Sequence, residues 1–555
     1  MRLIKFKLTA VLGFVGLAVA CDNFLGVENT SNPDRPRILR NPSDVENLAA
    51  AQFQQIINAT VGSIARTQTG MLTAAFENAS GLANNGLGPR SGIPRGPIDN
   101  GRGNPYQSEN FADFSILTSV ARNAADVLGR ARDPGFSLAD DTTTARANKQ
   151  RLFAWTHFVY GVALGYLSLV YDSAGVPTAE DQPGVTPPLE GYMAVNQKAI
   201  AALDSALTYA TMAGTARLPG TWLFGPTGTD TTAAFLGRVI RSYRARLRAG
   251  VARNPTERGA VSWTSVIADA TAGITADLRV NMNPALGWDY AWLSSALHFR
   301  DANWHQMTYY IIGMADVSGG YDAWLATPRN SRAPFLIVTP DLRFPQGADR
   351  PAQVAVGQGA PTGRRYFRNR NPGLDQAAVG WQASWYDHYR FRAFADAGRV
   401  GAFPIFTKAE NDLLAAEGYI RTNNIPAAAA LIDLTRTTAG LPALTGAVTS
   451  ATDPVPGGAS CVPRVPVGPN FTSTACGNIM EAMKWEKRME TAYTTYGAWF
   501  FDSRGWGDLP VGTALHWPVP NQELDARVLP IYNLGGVGQE GSAAASTYGF
   551  GNGNL

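Results

Sequence analysis

From Leu152 to Tyr171 the chain runs for 20 residues without a formal charge. Such a stretch has two homes. One is a lipid bilayer, where a span needs about 20 apolar residues. The other is the middle of a helical core, where a helix apolar on all sides is covered on all sides. Thr156, His157, Tyr160, Ser168 and two glycines interrupt the run, and ordinary capping charges flank it. A buried central helix is therefore the expectation, and it obliges the rest of the chain to supply helices around it. Composition permits this. Of 555 residues, 45% are hydrophobic and 16% charged, which supports a large core and excludes a disordered chain, a coiled coil or a collagen-like rod.

Helical periodicity supplies the neighbours. A helix starts at Pro42-Ser43-Asp44, with Ser43 or Asp44 as cap and Leu48, Phe53, Ile56, Ile57 and Ile64 along its apolar face. Further helices are predicted over 109–132, 148–172, 190–213, 231–252, 263–277, 407–422, 425–438 and 475–495. The link Thr422-Asn423-Asn424 is short enough to make an antiparallel helical hairpin. Gly and Pro number 57 and 35, so long ordered loops separate the regular elements. Residues 330–400 read as irregular. Residues 78–107, rich in Gly, Asn and Pro, form a long loop, and loops of that length are more often functional than idle. The expected fold class is mainly α: stacked hairpins resembling tetratricopeptide units, without a strict 34-residue period, beside a loop-rich second layer.

The N-terminus reads as an export signal. Arg2, Lys5 and Lys7 precede the apolar run Leu8 to Val19, and Leu17-Ala18-Val19-Ala20-Cys21 resembles a bacterial lipobox. Cleavage before Cys21 would remove residues 1–20 and leave Cys21 acylated, anchored to a membrane without crossing it. Those residues carry the whole formal charge of +3, so the mature chain is neutral. It then has no basic field for nucleic acid or an anionic membrane. The other two cysteines, Cys461 and Cys476, lie 15 apart in a Pro/Gly-rich stretch. In an oxidising compartment they are expected to form a disulfide. In the chain-entropy picture such a closure contributes about 3 kcal/mol.

Nothing in the sequence carries catalytic chemistry. There is no metal motif, no nucleophile elbow and no phosphate loop, and the five histidines (157, 298, 305, 388 and 516) are scattered. No catalytic residue, metal or cofactor is expected. Arg488, Glu490, Asp502 and Arg504 are expected to join in one partly buried ion network, which fixes geometry more than it stabilises.

Five segments, in order, resemble the SusD/RagB family of outer-membrane nutrient-binding lipoproteins. These are Cys21-Asp-Asn-Phe-Leu-Gly-Val; the aliphatic helix end Tyr166 to Pro177; the pair Ala409–Tyr419 and Ala427–Arg436; Lys484 to Glu490 with Trp499 to Gly507; and Trp517-Pro-Val-Pro-Asn-Gln-Glu523. The resemblance implies an N-terminal helical part (21–280) and a C-terminal part (281–555) packed as one unit. It also implies a glycan or peptide ligand, a TonB-dependent SusC-like barrel as partner, and a lipid-anchored position on the cell outer membrane, facing outward.

Aromatic density offers a binding surface, because rings supply rigid area for sugar C–H faces. Trp288, Tyr290, Trp292, Trp304, Tyr309, Tyr310, Tyr321 and Trp324 cluster with His298, Asp301, Asn303 and His305. The i, i+4 spacing of Trp288 and Trp292 equally suits a core stripe. Asn84, Asn85, Arg90 and Arg95 of the long loop form a second candidate wall. Two other functions stay open. An exported glycoside hydrolase needs two carboxylates about 5–10 Å apart, and a lipoprotein scaffold of stacked helices needs no small ligand.

Overall fold

A computed structural model describes residues 38–79, 90–181, 185–293, 306–357, 363–373 and 383–552. Its helical layer contains, in chain order, α1 (Pro42–Ala50), α2 (Gln52–Thr60), α3 (Thr67–Ala74), α4 (Gln107–Ala131), α5 (Thr142–Val170), α6 (Tyr192–Met212), α7 (Ala233–Gly250), α8 (Pro255–Ala260), α9 (Trp263–Thr271), α10 (Lys408–Arg421), α11 (Ile425–Arg436), α12 (Ile479–Thr491), α13 (Ala498–Trp506) and α14 (Asn521–Ala526). The uncharged stretch is the second half of α5. Its most apolar window is 89% buried, because α4 and α6 pack along it and α7 crosses it. Two glycines allow that closeness. A Cβ on Gly161 would lie 2.8 Å from Leu203 of α6, and one on Gly165 would overlap Leu247 of α7.

Local chemistry explains the helix ends. Asp141 caps α5 by accepting from Thr144 N at 2.7 Å. Thr407 caps α10 through Glu410 N at 3.0 Å, and Asn478 caps α12 through Glu481 N at 3.1 Å. In the α10–α11 hairpin Asn423 takes φ 59°, a left-handed turn that Asn tolerates. The helix expected from residue 42 is two helices broken at Ala51, and its cap is Asn41 rather than Ser43 or Asp44. The helix expected over 263–277 ends at Thr271, and the chain then becomes a strand.

Strands are short and paired in twos. In chain order they include β1 (Pro97–Ile98), β2 (Leu278–Met282), β3 (Phe367–Asn369), β4 (Tyr386–His388), β5 (Gly401–Phe406), β6 (Arg464–Val467), β7 (Ser473–Cys476) and β8 (Leu534–Gly535). β2 pairs with β5, β3 with β4, β6 with β7, and β1 with β8, all antiparallel. The last pairing ties the long loop to the end of the chain. Cys461 and Cys476 are disulfide-bonded, with their Cα atoms 5.7 Å apart. The bridge sits beside a small core of α10–α12, including Leu413, Ile432 and Met483, while a large core runs from Val45 to Phe550.

The expected single ion network is replaced by several. Asp502 pairs with Arg258 and Lys487, Arg488 with Asp508, and Glu490 with Arg343 and Arg390. Arg504 instead donates to the carbonyls of Leu515 and Gly250. Residues two apart on a helix do not share a face, so Arg488/Glu490 and Asp502/Arg504 diverge.

Candidate functional site

A cavity of about 310 Å³ opens between three segments: α3, the end of the long loop, and residues 513–517. Gly70 and Ala74 supply the α3 wall. Arg90, Arg95, Asp99, Asn104 and Tyr106 come from the loop, and Thr513 and Trp517 from the third segment. Most of the remaining lining is apolar (Pro97, Ile98, Pro105, Ala514).

Backbone pairing and buried amides hold the walls in place. Pro97 pairs with Gly535 and Ile98 with Leu534. Just beyond, Asn100 Nδ2 donates to Val519 O at 2.9 Å, and Asn521 N donates to Asn100 Oδ1 at 3.0 Å. Trp517 is fixed by its own N–H to Val170 O (2.8 Å), at the end of α5, and by an edge contact with Phe500 at 5.3 Å. Gly70 is required where it stands: a Cβ there would lie 2.8 Å from the Trp517 ring and 3.2 Å from Arg90.

The charged groups differ in their partners. Arg90 Nη1 lies 3.2 Å from Glu109 Oε2. Burial pushes the Glu109 carboxyl up to about 7, against the pull of Arg90. Arg95 is 4% exposed. It donates to the carbonyls of Arg90, Thr73 (3.3 Å) and Ala74 (3.2 Å), and its guanidinium lies 5.1 Å over the Phe76 ring. Burial lowers its pKa to about 10, so it is a cation at neutral pH. Asp99 is exposed and accepts from Gly101 N at 2.8 Å. It is the single carboxylate among the described residues that line the cavity. The arrangement offers a half-buried ring, apolar walls, two guanidinium groups and several polar side chains. That suits binding, and a glycosidase pair would require a second carboxylate.

The aromatic cluster lies elsewhere. Trp288, Tyr290, Trp292, Tyr309 and Trp324 are all buried, none more than 6% exposed, which corrects the expectation that they form a ligand surface. The rings are occupied with each other. Tyr309 stacks on Phe335 at 4.2 Å, Tyr310 on Phe76 at 4.4 Å, and Trp324 meets Tyr310 edge-on at 5.1 Å. The Tyr309 hydroxyl donates to Phe335 O at 2.6 Å, and Arg332 covers Trp324 at 4.1 Å. Trp288 and Trp292 are not on one helix: Trp288 bridges Asn283, and Trp292 sits in a single 3-10 turn. Trp304, His298, Asp301, Asn303, His305, Asn84, Asn85 and Cys21 lie outside the described residues. Of the second candidate wall, Arg90 and Arg95 do line the cavity. Tyr106, the sole aromatic residue of the 78–107 loop, was the available signal for the ring beside them.

No protein-family model matches the chain, and no curated protein matches it by sequence. Solved structures do match. A SusD superfamily protein from Bacteroides vulgatus ATCC 8482 superposes with a TM-score of 0.52 at 12% identity, covering 84% of this chain and 89% of that one. A SusD homolog from Bacteroides thetaiotaomicron VPI-5482 gives 0.51 at 12% identity, covering 91% and 99%. A SusD superfamily protein from the same organism gives 0.50 at 11% identity, covering 89% and 94%. Helical pairs around a central buried helix, with a loop-rich layer tied back by short strands, give this chain the fold of the SusD superfamily.

Proposed function

We propose that the protein is a lipid-anchored receptor on the outer face of the cell outer membrane. It captures glycans, or peptides, in the cavity between Tyr106 and Trp517 and passes them to a TonB-dependent SusC-like transporter. It holds its ligand without altering it. The observation that carries this reading is the cavity itself: a small, largely apolar recess with convergent polar groups, the usual form of a ligand site, set in a SusD fold. The lipobox-like sequence supports the anchor. With Cys461 and Cys476 paired, Cys21 is the remaining one of three cysteines, free for acylation.

Affinity electrophoresis of the full chain across a polysaccharide panel, repeated with Tyr106→Ala, tests the capture site. Retardation that the substitution abolishes supports it. Retardation unchanged by the substitution contradicts it, and release of reducing ends from a retarded polysaccharide would favour a glycoside hydrolase. Palmitate labelling of the chain and of Cys21→Ala tests the anchor, and co-purification of a large barrel protein tests the partner.

A further inference from the structure

We infer that the cavity selects glycans ending in a sugar acid, with the carboxylate against the inner wall and the pyranose ring beside Tyr106. This rests on the proposed capture of glycans at the same cavity and names the class of sugar it takes. Arg95 carries the argument. It lines the cavity, is 4% exposed, and forms no ion pair with a carboxylate among the described residues. Its terminal N–H groups are spent on backbone carbonyls, and its Nε–H has no partner. A buried cation without a counter-charge is costly, and an anion brought alongside offsets that cost.

Two more wall residues are left unsatisfied. The Thr513 hydroxyl and the Trp517 indole N–H are buried without a hydrogen-bond partner, and both residues line this cavity. These two donors are enclosed behind the lining, as is Arg95 Nε, so what the recess itself presents is the unbalanced positive charge of Arg95. A carboxylate supplies acceptors only. The opposing charge is Asp99, which is exposed while Arg95 is buried. A negative outer edge and a positive inner wall orient an acidic sugar with its carboxylate inward and its hydroxyls toward Asp99 and Asn104. Pro97, Ile98, Pro105 and the half-buried Tyr106 give the apolar contact that a pyranose C–H face needs. A volume of about 310 Å³ is at the small end for ligand sites, so it accepts the end of a glycan rather than a long internal run.

Titration calorimetry on the full chain tests this with matched ligands: an oligogalacturonide, and the same oligosaccharide with its carboxyl groups reduced to alcohols. The acid form is expected to bind about tenfold or more tighter, roughly 1.4 kcal/mol or more. Arg95→Gln is expected to erase that gap while retaining the weaker binding. Should Arg95→Gln fail to fold, the acid-against-reduced comparison on the unaltered chain decides alone. Equal affinities, both lost in Tyr106→Ala, would overturn the acid selection and leave capture at the cavity standing. No binding by either ligand, or binding indifferent to Tyr106→Ala, would overturn the selection, and indifference would remove the capture site as well. A peptide carboxylate that outcompetes the oligogalacturonide would also overturn the choice of a sugar.

Discussion

Arg258 and Glu417 meet through two parallel hydrogen bonds, 2.9 Å from Nε and 2.5 Å from Nη2, with both side chains wholly buried. Arg258 also reaches Asp502 at 3.0 Å, Trp506 Nε1 donates to Glu417 at 3.1 Å, and Arg421 Nε does so at 2.9 Å. This group locks α8, α10 and α13 together. Removing one partner of a buried pair leaves the other charge stranded, at a cost of about 3–5 kcal/mol. Glu417→Ala is expected to lose that much in urea unfolding. A loss under 1 kcal/mol would show that the pair is not sealed in solution.

The same carboxylate sets an acid limit. Burial alone would raise its pKa, but Arg258, with Arg421 and Lys487, pulls it down from 4.5 to about 2. A depressed folded pKa contributes stability above about 4.5, and that contribution is lost as the pH falls toward 2. Glu417→Gln should therefore be less stable than the unaltered chain at pH 6, by a gap that narrows as the pH falls from 4.5 toward 2. A gap constant across that range contradicts the assignment.

Glu77 acts in the opposite sense. Burial raises its carboxyl from 4.5 to about 8, despite the Tyr493 N–H that donates to it at 2.8 Å. Between those two values the folded state holds a proton that the unfolded state has released, so stability falls as the pH rises. Glu77→Gln keeps the acceptor oxygen and removes the titration. It is expected to melt higher than the unaltered chain at pH 8.5 and about equally at pH 4.5. Parallel melting curves at the two pH values would refute this.

Close helix packing gives a fourth expectation. Gly161 and Gly165 face α6 and α7, where Leu203, Leu247 and the carbonyl of Ala199 leave no room for a Cβ. Gly161→Val and Gly165→Val should each cost about 1–3 kcal/mol through overpacking. An exposed helical control, Gly259→Val in α8, with nothing within 4 Å of its added Cβ, should cost less than either. Equal costs at all three would show that helix propensity alone is being measured.

The disulfide closes a 15-residue separation beside α10–α12. Replacing both cysteines with Ala is expected to remove about 3 kcal/mol and to leave ligand affinity unchanged, since neither cysteine lines the cavity. Lost affinity in a folded double variant would place the bridge in the binding machinery.

The helices were legible because their signals are local. Apolar period and polar caps over Thr142–Val170 or Lys408–Arg421 need only neighbouring residues. Ring exposure is not local: nothing near Tyr309 in sequence shows that Phe335 will stack on it at 4.2 Å. The long loop was legible from its length and composition, and it does supply Arg90, Arg95 and Tyr106. Its facing wall, Thr513 to Trp517, comes from near the other end of the chain, and the β1–β8 pairing and the bonds of Asn100 to Val519 and Asn521 bring the two together.

The proposed ligand site lies between Tyr106 and Trp517 rather than among the mid-chain rings. Affinity for one retained polysaccharide, measured on folded Tyr106→Ala, Trp288→Ala and Trp324→Ala, separates the two. Tyr106→Ala should lose binding with little change in melting temperature, while the two tryptophan variants should melt lower and bind as before. Full binding by Tyr106→Ala, together with loss in folded Trp288→Ala or Trp324→Ala, would contradict it.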